Sequence, residues 1–392
     1  MPAIENLQKS SIAVFGSTGS IGTQALDVAR FHKIPVDTIC AARSVKILEN
    51  QIREFKPRVC AVFDESAAKE LKTLVADTET KIVSGKEGVC LAASETKADI
   101  FLNAVMGMAG LEPTLCAIKS KKTVALANKE TLVAAGKIVT AEAKKNRVSI
   151  IPVDSEHCAI HQCLCNGRKS EVKKLILTCS GGSYFGKIRE DLENITPTEA
   201  VVHPKWNMGR KISVDSSSLM NKGLEILEAA WLFDMDIDNI DVVIHRESII
   251  HSMVEYNDNA VIAQMSVPDM HFCIQYALTY PERYPGITEE LDFSKVANLS
   301  FYKPDTKTFK LLDLARYAGK CGGVIPTVMN AANEAAVSLF LDNKIRFLDI
   351  FDSVCDITMN YKNIDLSKEL TMSDILFADF EARRLIFEHF SK

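Results

Sequence analysis

Three carboxylates stand out in the 392-residue chain as groups able to hold a cation. Asp154 and Glu156 close an apolar run, "IPVDSEHCAIHQ" (151–162). On a continuing strand, residues two apart project to the same side. That reading puts the two acids together and turns His157 away. The third is Glu225, in "SSLMNKGLEILEAAWLF" (217–233), read as a strong helix beginning near Ser216. Its apolar face is Met220, Leu224, Leu227 and Trp231. Ser218, Asn221, Lys222 and Glu225 form a polar stripe at i, i+3, i+4, i+7. Three carboxylates without cysteine or histidine select a hard divalent ion, Mg²⁺ or Mn²⁺. Other readings stay open at this point. Asp154 could cap the helix started by "AIHQCL", and Glu225 or Glu228 could be ordinary helix-surface charge.

Groups suited to a phosphate gather in the same half of the chain. "TCSGGS" (178–183) sets Ser180 before two glycines at a strand end, a nest for an anion. Ser216 is read at a helix N-terminus, where the dipole favours anions. Lys222 and Asn221 add a cation and an amide. "HPKWNMGRK" (203–211) reads as a mobile loop with Trp206 and Met208 as a lid, and His203 as a candidate substrate contact.

A dinucleotide site is expected at the other end. "GSTGSIG" places glycines at 16, 19 and 22 between the first strand and its helix. Such a turn brings a pyrophosphate to the backbone at a helix N-terminus. The second strand ends in Ala42, Arg43 and Ser44, with no carboxylate for ribose hydroxyls. Arg43 pairs instead with a 2′-phosphate, so NADPH is expected over NADH. "LANKE" (126–130) ends another strand and aims Asn128, Lys129 and Glu130 at the ligand crevice of such a sheet.

The elements that must position these groups follow from periodicity. Six short apolar runs, 11–16, 36–41, 59–64, 98–105, 123–127 and 148–153, alternate with amphipathic helices and imply a parallel, doubly wound sheet. After Asp154 the pattern changes to α+β. Beyond 308 it is helical. The expectation is an α/β protein with a Rossmann-type domain at 1–153, a central α+β catalytic domain with the lid at 154–285, a linker at 286–310 and an all-helical domain at 311–392.

Net charge is −5 at pH 7, which gives no overall case for nucleic acid or an anionic membrane. No stretch approaches a membrane span. Eleven scattered cysteines without paired CxxC motifs read as reduced thiols of a cytoplasmic protein rather than a zinc site.

The motifs "GSTGSIGTQALDV", "LANKETLV", "PVDSEHCAIHQ", "HPKWNMGRKISVDSSSLMNKGLEILEA", "SMVEYNDNAVIAQMSVPDM" and "NAANEAAVSLFLD" closely resemble the 1-deoxy-D-xylulose 5-phosphate reductoisomerase family across essentially the whole chain. The resemblance implies a homodimer that rearranges that sugar phosphate and reduces it with NADPH to 2-C-methyl-D-erythritol 4-phosphate, using Mg²⁺, Mn²⁺ or Co²⁺, in non-mevalonate isoprenoid synthesis. It implies metal ligation by Asp154, Glu156 and Glu225, deciding for Glu225 over Glu228. Substrate contacts would be Lys129, Ser155, Glu156, Ser180, His203, Ser216, Asn221, Lys222 and Glu225, with Lys129 and Glu156 catalytic. Cofactor contacts would be Thr18, Gly19, Ser20, Ile21, Ala42, Arg43, Ser44, Asn128, Glu130 and Gly209. Two departures stand out: many members have Gly-Lys-Asn at 42–44, and Pro-Phe where this chain has Ser183 and Tyr184. The other function classes are a simple NADP-dependent semialdehyde or hydroxy-acid dehydrogenase, which needs no three-carboxylate site, and a non-catalytic NADPH sensor.

Overall fold

The computed structural model describes residues 10–165, 167–203, 206, 208–362 and 369–391. Two compact units emerge from the packing. Unit 1 comprises the chain up to Asn128, Ala141–Cys158 and Asp269–Glu289; unit 2 comprises Lys129–Thr140, Ala159–Pro268 and Glu290 onward.

Unit 1 is built on seven strands: β1 (Ile12–Phe15), β2 (Val36–Ala41), β3 (Val59–Val62), β4 (Lys81–Ser84), β5 (Ile100–Asn103), β6 (Thr123–Leu126) and β7 (Ile150–Pro152). They lie in the order β4-β3-β2-β1-β5-β6-β7, and every pairing is parallel. The order reverses direction between β1 and β5, the switch point at which such sheets bind ligands. Strands β1, β3 and β5 are buried throughout, as near-continuous apolar runs require of a sheet covered on both faces. Sequence periodicity misses β4. This edge strand has only two apolar residues and none of its four positions is buried.

The helix Met270–Thr279 also belongs to unit 1. Its Cys273, Ile274, Tyr276, Ala277 and Leu278 share the core with Ala25, Leu26, Val28 and Ala29 of the helix Ser20–His32. The expected 154–285 domain therefore differs from the observed packing: apolar burial on the first helix draws this segment back to unit 1.

Unit 2 holds a mixed four-stranded sheet, β8 (Val172–Cys179), β9 (Ile240–Ile244), β10 (Ile250–Tyr256) and β11 (Val261–Met265), in the order β11-β10-β8-β9. β10 is antiparallel to β8 and β11, and β9 is parallel to β8. The C-terminal region is all-helical, as expected, with Leu311–Cys321, Ile325–Leu341, Phe347–Asn360 and Met372–Phe390. It is not a separate body. Its apolar faces share one core with the sheet and the helix Met220–Phe233. Gly223 shows how closely they meet: an added Cβ there would lie 2.7 Å from Ala315 Cβ. Part of the expected linker is also tied down, since Tyr302 and Ile244 exchange backbone hydrogen bonds of 2.9 and 2.8 Å.

Candidate functional site

In unit 1, β1 runs into the glycine turn. Gly16 has φ +88°, and a Cβ there would sit 2.4 Å from Ala104 O; at Gly22 it would sit 2.1 Å from Gly16 O. Only glycine fits either position. Gly16 N and Ser17 N donate to Cys40 O, and Gln51 donates to Ser17 O at 2.8 Å. The turn is thus fastened to β2 and to the helix Val45–Phe55. Gly19 occupies the N-cap of Ser20–His32 and offers no side-chain cap, which leaves the first-turn N–H groups for an anion. Gly19 and Ser20 are exposed; Thr18 and Ile21 are half-buried.

Ala42 and Arg43 are exposed at the C-terminal end of β2, and Ser44 caps the following helix. Asn128, at the end of β6, is buried. Its amide donates to Val105 O and, at 2.8 Å, to Gly107 O. Sequence reasoning treats Asn128 only as a cofactor contact; in the fold its amide shapes the loop after β5.

The Asp154–Glu156 segment departs from expectation. β7 stops at Pro152, and a helix runs from Ser155 to Leu164. Asp154 O accepts the first helical bond from Cys158 N, and its carboxylate accepts from Glu156 N at 3.4 Å. The strand argument for pairing the acids therefore fails, and Asp154 begins the helix instead. The exclusion of His157 by strand alternation fails with it. His157 lies one turn on, fully buried, with Nδ1 3.8 Å from Asp154 Oδ1. Ser155 Oγ donates to Glu156 Oε2 at 2.6 Å. The local field is negative. The buried Cys273 thiol is raised well above its usual pKa by its hydrogen bond with Cys158, then by burial, then by nearby charges that include Asp154 and Glu156.

Unit 2 gathers the other candidates. The segment from Lys129 breaks at Ala135 (φ −133°), and just past the break Gly136 meets Met220–Phe233, where a Cβ would come within 2.3 Å of Trp231. Lys129 Nζ donates to Asn221 Oδ1 at 2.8 Å and to Glu225 Oε1 at 3.2 Å. Asn221 and Lys222 also donate to Glu225. Glu225 and Lys222 are only 1% and 3% exposed. Two buried lysines and an amide thus converge on one buried carboxylate.

The helix expected from Ser216 proves to be two. Arg210–Ser217 ends, Leu219 takes φ +60°, and Met220–Phe233 follows. Ser216 therefore lies in a last turn, not at an N-terminus, and Ser218 falls outside the stripe's helix. Ser216 still borders the glycine nest, because a Cβ on Gly182 would lie 2.5 Å from Ser216 O. Gly209 is the N-cap of the first helix.

Ser180 Oγ is 2.9 Å from His203 Nε2 and accepts from Gly182 N at 3.2 Å. His203 Nδ1 accepts from Trp206 N at 2.9 Å, so the ring proton sits on Nε2 and is donated to Ser180. The serine's own hydrogen is then available for a further acceptor. Burial, helped by the charge of Arg246, pushes His203 down to about 4 and keeps it neutral at physiological pH. Of the expected lid, Pro204, Lys205 and Asn207 lie outside the described residues; Trp206 stands 6.1 Å, ring to ring, from His251, and Arg210 and Lys211 are already helical.

Glu130 is buried and pairs with Lys211 at 3.0 Å, which also reaches Asp215 at 3.0 Å; Asn333 in turn donates to Asp215. Burial raises the Glu130 carboxyl, but the charge of Lys211, hydrogen bonds and the charge of Lys129 together outweigh it and the net shift is downward. Sequence reasoning missed this network and missed Arg246. The i,i+4 pair Lys211–Asp215 was a usable signal; Arg246 had none, since its partners lie 64 and 66 residues away.

A doubly wound sheet with a glycine turn at its switch point, carried in one chain with an α+β unit rich in buried charge, defines a dinucleotide-dependent oxidoreductase. Three family profiles match: "1-deoxy-D-xylulose 5-phosphate reductoisomerase" over residues 12–136, its C-terminal domain over 150–233, and "DXP reductoisomerase C-terminal domain" over 265–385. A 1-deoxy-D-xylulose 5-phosphate reductoisomerase of Clostridium perfringens is 49% identical over 384 residues, covering 97% of this chain and 99% of that protein. One from Lachnospira eligens is 51% identical over 367 residues, covering 93% and 96%. Among solved structures, the Zymomonas mobilis enzyme in complex with NADPH superposes with a TM-score of 0.91 at 38% identity, covering 98% of this chain and 99% of that one. A DOX-P reductoisomerase in complex with NADPH, fosmidomycin and magnesium gives 0.93 at 38% identity, covering 97% and 98%. The chain belongs to the 1-deoxy-D-xylulose 5-phosphate reductoisomerase family. Among the described residues, no helix is long and apolar enough to cross a membrane.

Proposed function

We propose that this protein converts 1-deoxy-D-xylulose 5-phosphate and NADPH into 2-C-methyl-D-erythritol 4-phosphate, in the non-mevalonate route to isoprenoids. The observation that carries the reading is the Glu225 node, where Lys129, Asn221 and Lys222 converge on one buried carboxylate. An ordinary helix surface would not bury two lysines and a glutamate together. A site for an anionic, oxygen-rich substrate would.

Asp154, Glu156 and Glu225 would hold a divalent cation, Mg²⁺ or Mn²⁺, with Co²⁺ also compatible. The residues fit it: all are hard oxygen donors, and the Asp154–Glu156 segment already carries a negative field. When bound, the ion supplies Lewis-acid stabilisation of negative charge on substrate oxygens. Lys129, oriented by Asn221 and Glu225, presents its ammonium where charge develops on the sugar backbone. Glu156, braced by Ser155, holds or returns a proton there. Ser180, the nest N–H groups, Ser216 and Lys222 bind the phosphate, with His203 as neutral donor to Ser180. The cofactor would lie along Thr18–Ile21 with its 2′-phosphate at Arg43. A homodimer and a cytoplasmic setting complete the reading. The eleven cysteines are unbridged, in keeping with a reducing compartment.

The test is NADPH consumption, followed by absorbance, with the sugar phosphate in Mg²⁺, in Mn²⁺ and in excess chelator. Turnover that a chelator abolishes and metal restores is expected. Turnover indifferent to the chelator would favour a simple dehydrogenase, and no oxidation under any condition would leave only cofactor binding.

A further inference from the structure

The tripeptide His245-Arg246-Glu247 follows β9 and forms a two-sided clamp within unit 2. Arg246 and Glu247 form a turn that Ser248 N closes by donating to His245 O at 3.2 Å. His245 Nδ1 lies 2.9 Å from Ser300 O. Glu247 accepts from Ser300 N at 3.1 Å and from Ser300 Oγ at 2.7 Å. Arg246 reaches a different segment. Its Nη1 donates to Ser180 O and, at 2.9 Å, to Gly182 O, while its guanidinium lies 5.1 Å from the Phe185 ring centroid.

Those two carbonyls belong to the glycine nest, where Gly181 and Gly182 adopt φ +78° and +68°. In a trans peptide the C=O of one residue and the N–H of the next point in opposite directions. Fixing Ser180 O and Gly182 O on the guanidinium therefore turns the N–H groups of Gly181 and Ser183 away from it. Neither N–H enters a backbone hydrogen bond among the described residues. A turn that uses two glycines at positive φ is intrinsically loose, and one guanidinium nitrogen, Nη1, shared between two of its carbonyls removes that looseness.

We propose that Arg246 is a positioning residue for substrate phosphate, pre-organising the Ser180–Gly182 nest so that its N–H groups and the Ser180 hydroxyl are ready for the anion. The inference rests on the phosphate assignment made above. Lysine can keep the charge and a donor nitrogen but not the planar guanidinium over the Phe185 ring.

Steady-state kinetics and calorimetry with inorganic phosphate test it on full-length Arg246→Gln, Arg246→Lys and Ser180→Ala. For Arg246→Gln, KM for the sugar phosphate should rise about tenfold or more with kcat within about threefold, the pattern of lost uniform binding. NADPH affinity should be unchanged and phosphate affinity should fall in step. Arg246→Lys should lie between, and Arg246→Gln/Ser180→Ala should be barely worse than either single change, because both act on one turn. Three results would overturn the proposal: a KM within twofold of wild type, an equal loss of NADPH affinity, or full multiplicative effects in the double variant. Should Arg246→Gln fail to fold, Arg246→Lys carries the same comparison. Wild type that binds phosphate but does not oxidise NADPH would sink the proposed reaction while leaving Arg246 to be judged by calorimetry.

Discussion

At the scale of single residues, the site combines groups whose chemistry is visible in sequence with groups whose role depends on partners. Glu156 is a direct test of the first kind. Glu156→Gln keeps shape and the Ser155 contact but removes a charge from a proposed cation site. Turnover should drop about a thousandfold, Mn²⁺ affinity measured by electron paramagnetic resonance should fall, and the NADPH dissociation constant should not move. Near-normal turnover in saturating Mg²⁺ would remove Glu156 from the metal set. Arg43 is exposed, so its replacement should not disturb folding. Arg43→Ala should erode the preference for NADPH over NADH, and an unchanged ratio of kcat/KM values would take selection away from it. The acids, lysines and glycines were legible because their types and spacing carry the chemistry. Asn128 and Glu130 were legible only as members of a motif. That one shapes a loop and the other pairs with Lys211 needed the fold.

Elements decide whether such residues arrive in register. The parallel sheet was readable because buried strands are apolar throughout, and β4 escaped because an exposed edge needs little apolar content. The helix at Ser155 was misread because a short apolar run followed by acids fits both a strand end and a helix start. The break at Leu219 left no trace, since leucine rarely takes positive φ. One element junction can be tested by pH. Asp37 on β2 accepts from Arg58, Thr38, Thr96 and the Lys97 N–H, tying β2 to the segment leading into β5. Burial raises its carboxyl, yet these bonds win and bring it down to about 2. A depressed carboxylate stabilises the fold fully above the ordinary carboxylate range, and that contribution is lost as pH falls through that range toward about 2. Asp37→Ala should lower the unfolding free energy by roughly 2–3 kcal/mol at pH 7. The gap from wild type should close as pH is taken below about 4 in denaturant titrations. A gap that persists unchanged at pH 3 would mean packing, not charge, is what Asp37 supplies.

For the whole molecule, the sequence gives the order of element types more readily than their grouping. Strand and helix periods are local, whereas the allegiance of Met270–Thr279 is decided by which distant apolar face it covers. The merging of the C-terminal helices with the mixed sheet is decided in the same way, by Gly223 against Ala315 and by a shared core. The discontinuous build of unit 1 has a consequence for synthesis. Its last sheet strand, β7, ends at Pro152, but the helix that covers Ser20–His32 is not complete until Thr279. At about 5–20 residues per second, a ribosome needs roughly 6–25 s for that interval. Throughout it, Ala25, Val28 and their neighbours on the nascent chain lack the cover that Ile274 and Leu278 later provide. A chain stopped at Pro268 should therefore bind a hydrophobic dye more strongly than one stopped just past Glu289, although both leave the unit 2 core without its C-terminal helices. The stretch that supplies no proposed ligand to either substrate thus sets when a newborn nucleotide-binding sheet becomes safe from aggregation.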